Sequence, residues 1–174
     1  MPKDPKNLRG KIRHSIETLE GSLIRQVAET NLDRDNVIAL WFGEPNMTTP
    51  DFIKQAATVA LDNNHVFYAQ NRGIPSLREI LSQYVSELHG RPIVSDRLTV
   101  TASGMNAIML VSEVLMDNGD NMVVVGPVWP NCRQTVQIMG GEPRQVALQP
   151  DENGRWQLDM DALFDACDDR TRAI

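Results

Sequence analysis

The sequence predicts an α/β chain built around a parallel sheet, and three observations predict it. Between residues 98 and 174 short apolar runs of strand length alternate with longer amphipathic stretches, the connections between them are brief, and no internal repeat or low-complexity tract breaks the order. Such alternation is the pattern of βαβ units, in which a helix returns the chain between neighbouring parallel strands. With 41% hydrophobic and 23% charged residues the chain can bury a sizeable core. It carries 17 Lys and Arg against 23 Asp and Glu, a formal charge of −6, so a nucleic-acid partner held by clustered cations is not expected. No apolar run reaches the roughly 18 to 20 residues of a membrane span. The opening residues MPKDPKNLRGKIRH lack the apolar core of a signal peptide, and a cytoplasmic protein with no membrane partner is expected. Cys132 and Cys167 lack the paired spacing of a zinc site and read as reduced, structural thiols.

Residues 1–14 hold five basic side chains (Lys3, Lys6, Arg9, Lys11, Arg13) with almost no apolar residue, and read as a basic arm. From Ser15, the positions Ile16, Leu19, Leu23, Ile24 and Val27 share one helical face and predict a single helix to about Thr30. Val37 to Phe42 reads as a strand that breaks at Gly43-Glu44-Pro45-Asn46. Thr49-Pro50-Asp51 predicts a helix start with a hydroxyl cap, running to about Leu61. Pro75 opens a further helix, with Leu77, Ile80, Leu81, Tyr84 and Leu88 on its inner side and Gly90 at its end. Leu98 to Thr101 then reads as a strand, Met105 to Met116 as a helix and Met122 to Val125 as a strand. After these come a helix from about Pro130 to Met139 closed by Gly140-Gly141, a strand at Arg144 to Leu148, and a helix at Asp159 to Ala166. Thr171 to Ile174 begins another apolar run. A parallel strand needs a crossover on both sides, so the chain is expected to be a fragment.

Two segments carry chemistry. At Thr99-Val100-Thr101-Ala102-Ser103-Gly104-Met105-Asn106 a strand feeds directly into a helix through Ser-Gly, a junction that aims free backbone N–H groups and the positive helix end at one point. It can hold a phosphate, or Ser103 can simply cap the helix. It matches neither the Walker loop nor GxGxxG. At Gly126-Pro127-Val128-Trp129-Pro130-Asn131 an indole stands at the carboxyl end of a strand, the edge where open α/β sheets bind ligands. Trp129 can cover a flat ring there or fill core. His14, His65 and His89 share no metal or triad spacing. Glu20, Asp33, Asp35 and the cluster Asp159, Asp161, Asp165, Asp168 and Asp169 read as solvated, and Trp41 and Trp156 as packing.

The order Gly43-Glu44-Pro45-Asn46, Tyr68 with Gly73 and Leu77-Arg78, Val100-Thr101-Ala102-Ser103-Gly104, Gly126-Pro127-Val128-Trp129-Pro130 and Gly140-Gly141 resembles the class I/II aminotransferases, pyridoxal-phosphate enzymes of the aspartate aminotransferase fold type. The resemblance spans about residues 15 to 174. It implies a three-layer α/β/α large domain, truncated here. The implied layout is a basic arm at 1–14, a small-domain segment at 15–45 and the first half of the cofactor domain at 46–174. The implied activity moves an amino group between an amino acid and a 2-oxo acid. By the same resemblance Ser103, Gly104 and Met105 hold the cofactor phosphate and Trp129 covers the pyridine ring. Gly43 lies by the substrate, and Tyr68 reaches the phosphate of the other subunit of a homodimer. The family's Schiff-base lysine lies beyond residue 174, and Lys3, Lys6, Lys11 and Lys54 stand in no matching context. Residues 1–174 alone are therefore expected to contain no catalytic residue and to be inactive. A carbon–sulfur lyase, a cyclopropane-forming synthase or a non-catalytic phosphate-binding module would use the same residues.

Overall fold

The computed structural model describes residues 12–174, so the basic arm lies, up to residue 11, outside the described residues. The chain divides into two compact units, Leu23–Ala102 and a second formed by Ser103–Ile174 with the segment up to Ser22.

The Ser103–Ile174 unit contains the sheet. It begins with α1 (His14–Glu17), from the early segment. The Leu23–Ala102 unit holds α2 (Leu23–Glu29), α3 (Asp51–Asp62) and α4 (Pro75–His89). After it come α5 (Gly104–Leu115), β1 (Asn121–Gly126), α6 (Asn131–Met139), β2 (Glu142–Ala147), the short β3 (Gln149–Pro150) and β4 (Trp156–Gln157), α7 (Met160–Asp165) and β5 (Thr171–Ala173).

β1 is the central strand of three, in the order β2, β1, β5, and both neighbours run parallel to it. The register against β2 is continuous from Asn121 opposite Glu142 to Gly126 opposite Ala147. The chain steps from β1 outward to β2 and then back across β1 to β5. Since right-handed crossovers in opposite directions leave their helices on opposite faces, α6 and α7 cover the two sides of the sheet. Successive residues of β1 serve the two faces in turn. Met122 packs with Met116 and Val136 of α6, while Val123 packs with Val146 and Leu163 of α7. These are the three layers that the sequence predicts.

The amino ends of the strands are joined by polar side chains. Asn121, 1% exposed, donates from Nδ2 to Asp168 Oδ1 at 2.8 Å and accepts at Oδ1 from the Thr171 hydroxyl at 2.7 Å. Arg144 of β2 reaches the other Asp168 oxygen at 2.8 Å, and Arg172 of β5 reaches Asp120 Oδ2 at 2.9 Å. Asp168, read from sequence as solvated, is thus a shared acceptor, because three strand ends converge on it.

α4 opens with Pro75 and closes at Gly90, whose φ of 61° is left-handed, as the sequence predicts. α3, α5, α6 and α7 also lie where they are predicted, with α6 closed by the left-handed Gly140. Several expectations are corrected. The single helix from Ser15 to Thr30 is two helices, α1 and α2, with Gly21 in the non-helical stretch between them. Val37 to Phe42 forms no strand, since no strand among the described residues runs beside it, and Ile38 and Leu40 are exposed. Leu98 to Thr101 is extended but not a strand, because its backbone groups bond elsewhere. Leu98 O accepts from Arg72 and Arg78, and Val100 N donates to Arg72 O at 3.0 Å. On α4 the buried residue is Arg78, which also reaches Ser95 O at 2.6 Å, whereas Leu77, Ile80, Tyr84 and Leu88 are exposed. Thr49 does not cap α3, whose cap position is Pro50. Trp156, expected to pack, is exposed on the β3–β4 hairpin, which the sequence reading missed. No helix among the described residues is long and apolar enough to cross a membrane.

The Asn121 amide, then the Arg170 N–H and the Arg144 guanidinium, lower the Asp168 carboxyl from its ordinary 3.8 to about 2. The unfolded chain therefore takes up this proton first, and the stabilisation that Asp168 contributes is whole above pH 3.8 and lost as pH falls through about 2. Asp120 is lowered in the same direction by Arg172. Urea midpoints measured across this window should fall with pH in the parent and fall less steeply in Asp168→Asn, with the Asp120 share remaining. Equal slopes would show that Asp168 titrates alike in folded and unfolded chains.

Candidate active site

The carboxyl end of β1 and the starts of two helices meet at one edge of the sheet. α5 is about 18 Å long and β1 about 20 Å. Only the turn 116–120 joins them, so α5 runs back along β1 and its first residues lie at the strand's far end. α6 begins at the same edge, after the loop of residues 127–130.

Ser103 is the N-cap of α5. Its φ of −163° is extended backbone, its Oγ accepts from Asn106 N at 3.1 Å and its carbonyl accepts from Ala107 N at 3.1 Å. The cap reading is therefore correct as local structure, and it leaves the phosphate reading open. Helix geometry offers the N–H groups of Gly104 and Met105 no acceptor within the helix. At Gly104 a Cβ would meet nothing within 4 Å, so space is open against this first turn.

Trp129 stands in the loop between β1 and α6. It is 48% exposed and belongs to neither core cluster, which removes core filling as its role. Asn131, the first residue of α6, donates from Nδ2 to Met105 Sδ at 3.4 Å and so links the two helix starts. A cavity of about 410 Å³ lies along them, lined by Ser103, Met105, Asn106, Asn131, Gln134 and Thr135 together with Met109 and Ile138. Every lining residue is uncharged, and each helix start carries roughly half a positive charge. An anion placed at this edge meets no carboxylate of the lining. The displaced carboxyls Asp120 and Asp168 lie at the amino ends of the strands, away from this edge. A second, apolar hollow of about 590 Å³ lies between helix and strand residues such as Val111, Val124 and Ala173 and includes the Cys132 thiol.

Gly43 and Tyr68 belong to the Leu23–Ala102 unit. Gly43 is exposed in an irregular stretch, with nothing within 4 Å of where a Cβ would stand. Tyr68 is fully exposed between α3 and α4, beside the exposed Phe67. At the far end of the same loop Gly73 has a φ of +95°, and a Cβ there would come within 2.8 Å of Val100, so only glycine fits against the segment that leads to Ser103. The structure thus brings Ser103, Gly104, Met105 and the Trp129 loop to one edge and shows Gly43 and Tyr68 within their own unit. The sequence reading included Asn106 and Asn131 in its two segments but gave neither a role. Asn131 was within reach, since an amide after Trp-Pro at a helix start is free to bond sideways.

Known proteins resemble this chain closely enough to show its family. The sequence pattern of the family described as "Aminotransferase class I and II" matches residues 35–174. The chain belongs to this aminotransferase family. Members of the family use pyridoxal phosphate. The chain is 29% identical over 163 residues to an aspartate aminotransferase of Pyrococcus horikoshii, covering 94% of this chain and 41% of that protein. It is 31% identical over 139 residues to an aspartate/prephenate aminotransferase of Thermus thermophilus, covering 80% and 36%. Among solved structures, an alanine aminotransferase from Pyrococcus furiosus superposes with a TM-score of 0.81 at 29% identity over 92% of this chain and 42% of that one. The Thermus thermophilus aspartate aminotransferase with maleate gives 0.82 at 29% identity and the same coverage. The chain spans about two fifths of the length of these aminotransferases.

The residues present fit the phosphate end of the family's cofactor: a neutral cavity, a capped helix start with two amides that have no acceptor within the helix, and open space at Gly104. Lys54, the lysine among the described residues, lies on α3 in an ion pair with Asp51 at 2.6 Å.

Proposed function

We propose that this chain belongs to a cytoplasmic aminotransferase that moves an amino group between an amino acid and a 2-oxo acid, and that residues 46–174 form part of its cofactor domain. The observation that carries the reading is the start of α5, where Ser103 caps the helix, two amides have no intrahelical acceptor, space is open at Gly104, and Ser103 and Met105 line a cavity with no charged lining. When bound, pyridoxal phosphate supplies an electron sink for the bonds at the amino acid's Cα. The chain's own residues bind and orient. The N–H groups of Gly104 and Met105 and the Ser103 hydroxyl hold the phosphate dianion, whose charge the helix dipole favours. In this reading the Trp129 indole would cover the cofactor ring, and Gly43, with no side chain, would let the backbone approach the substrate carboxylate. The proton-moving lysine is not one of these residues.

Tyr68 acts across a homodimer in this reading. Its exposed phenol, on a loop braced at Gly73, is available to a second copy, and two-fold symmetry then makes both sites composite.

In the intact protein, Trp129→Ala should weaken pyridoxal phosphate binding about threefold to tenfold, the range expected of an aromatic face. Ser103→Ala should weaken the phosphate form by more than pyridoxal, since a hydrogen bond to a charged acceptor is lost. Equal losses for both forms would assign Ser103 to capping alone, and an unchanged dissociation constant would remove Trp129 from the site. For Tyr68 the check is complementation. Mixing a Tyr68→Phe subunit with one lacking the anchoring lysine should restore about half the wild-type activity per heterodimer, by symmetry. Activity no greater than the two homodimers combined, with subunit exchange demonstrated, would place Tyr68 in its own subunit's site or in none.

A further inference from the structure

We infer that Asn131 is a positioning residue which sets the spacing between the phosphate cradle and the ring plate, an inference that rests on the pyridoxal phosphate reading above. Three observations converge on it. Asn131 is half-buried at the first residue of α6, two residues after Trp129, so its backbone is the fixed end of the loop that carries the indole. Its Nδ2 donates to Met105 Sδ at 3.4 Å, and Met105 supplies one of the two amides without an intrahelical acceptor. Both side chains line the 410 Å³ cavity that Ser103 and Asn106 also line.

A cofactor with a phosphate at one end and a ring at the other is a rigid ruler. The phosphate is placed by α5 and the ring by the loop before α6, so binding both ends at once requires the two helix starts to stay at one separation. Hydrophobic packing between α5 and α6 tolerates small slides, because it has no preferred direction. The Asn131 amide is directional, and Met105 is a weak acceptor on a flexible side chain that an adjacent donor can hold in place. In this role Asn131 acts through Met105 and through the loop that it terminates.

The test is a double-mutant cycle in the intact apoprotein, titrated with pyridoxal phosphate and separately with pyridoxal. Asn131→Ala removes the donor, and Met105→Leu removes the acceptor at nearly constant volume and keeps the backbone amide. Each single variant should weaken pyridoxal phosphate about threefold, as one modest hydrogen bond allows. Pyridoxal, held at the ring end alone, should change less, and the double variant should bind no more weakly than either single one. A merely structural role would lower the unfolding midpoint and leave the ratio of the two dissociation constants at the parent value. That outcome overturns the inference, as does a double variant whose loss is the product of the single losses. If Asn131→Ala does not fold, Met105→Leu carries the same expectation by itself. A parent that binds pyridoxal phosphate no tighter than pyridoxal overturns the cofactor reading and the inference with it, whereas a parent with a clear phosphate preference and an unaltered ratio in the variants overturns the inference only.

Discussion

Asn121 buries a carboxamide at the first residue of the central strand and must find partners for both of its ends. Asp168 accepts from the nitrogen and Thr171 donates to the oxygen, so the strand that arrives last in the chain is locked to the middle strand by side chains as well as by its short backbone pairing. An unmet amide at this depth would cost about 1–3 kcal/mol, so the three residues support one another or fail together. Arg144 brings β2 into the same cluster through Asp168. With the amino ends of the three strands held, the register of β1 against β2 is set along its length, and so is the place where β1 gives out at Gly126. That point decides where the Trp129 loop begins and where α6 starts.

The molecule therefore keeps its rigid chemistry and its candidate binding chemistry at opposite edges of one sheet. The Arg144–Asp168 and Arg172–Asp120 pairs, with the lowered carboxyls of both, lie at the amino ends, where they hold strands. At the carboxyl edge the cavity lining is uncharged and lies by two helix starts, whose backbone dipoles point into it, while Arg133 in the first turn of α6 is paired with Glu20 at 3.4 Å. Fixed dipoles suit a phosphate, since they need no counter-ion of their own and no change of protonation to receive it.

How much of this was legible follows from range along the chain. Helices α3 to α7 and strands β1 and β2 are local patterns of period, cap and glycine stop, and the sequence reads them well. Ser103, Gly104 and Trp129 were legible for the same reason, since each stands at a strand or helix end that the pattern locates. What the sequence concealed depends on partners far away. Val37–Phe42 has strand composition but no strand beside it among the described residues, and Leu98–Thr101 spends its backbone groups on Arg72 and Arg78. Asp168 looks like one more acid in a solvated run until Asn121, 47 residues earlier, is folded against it. Asn131 is the site's version of the same problem, because its partner Met105 lies 26 residues before it.

The central claim is that the Ser103-capped start of α5 holds a phosphate through backbone amides. It is tested most directly by amide chemical shifts in the isotopically labelled intact protein, titrated with pyridoxal phosphate and with pyridoxal. The account predicts that the phosphate form moves the amide signals of Gly104 and Met105 furthest downfield, and that pyridoxal leaves them near their free positions. Equal movement with both ligands, or the largest shifts elsewhere in the chain, would contradict it.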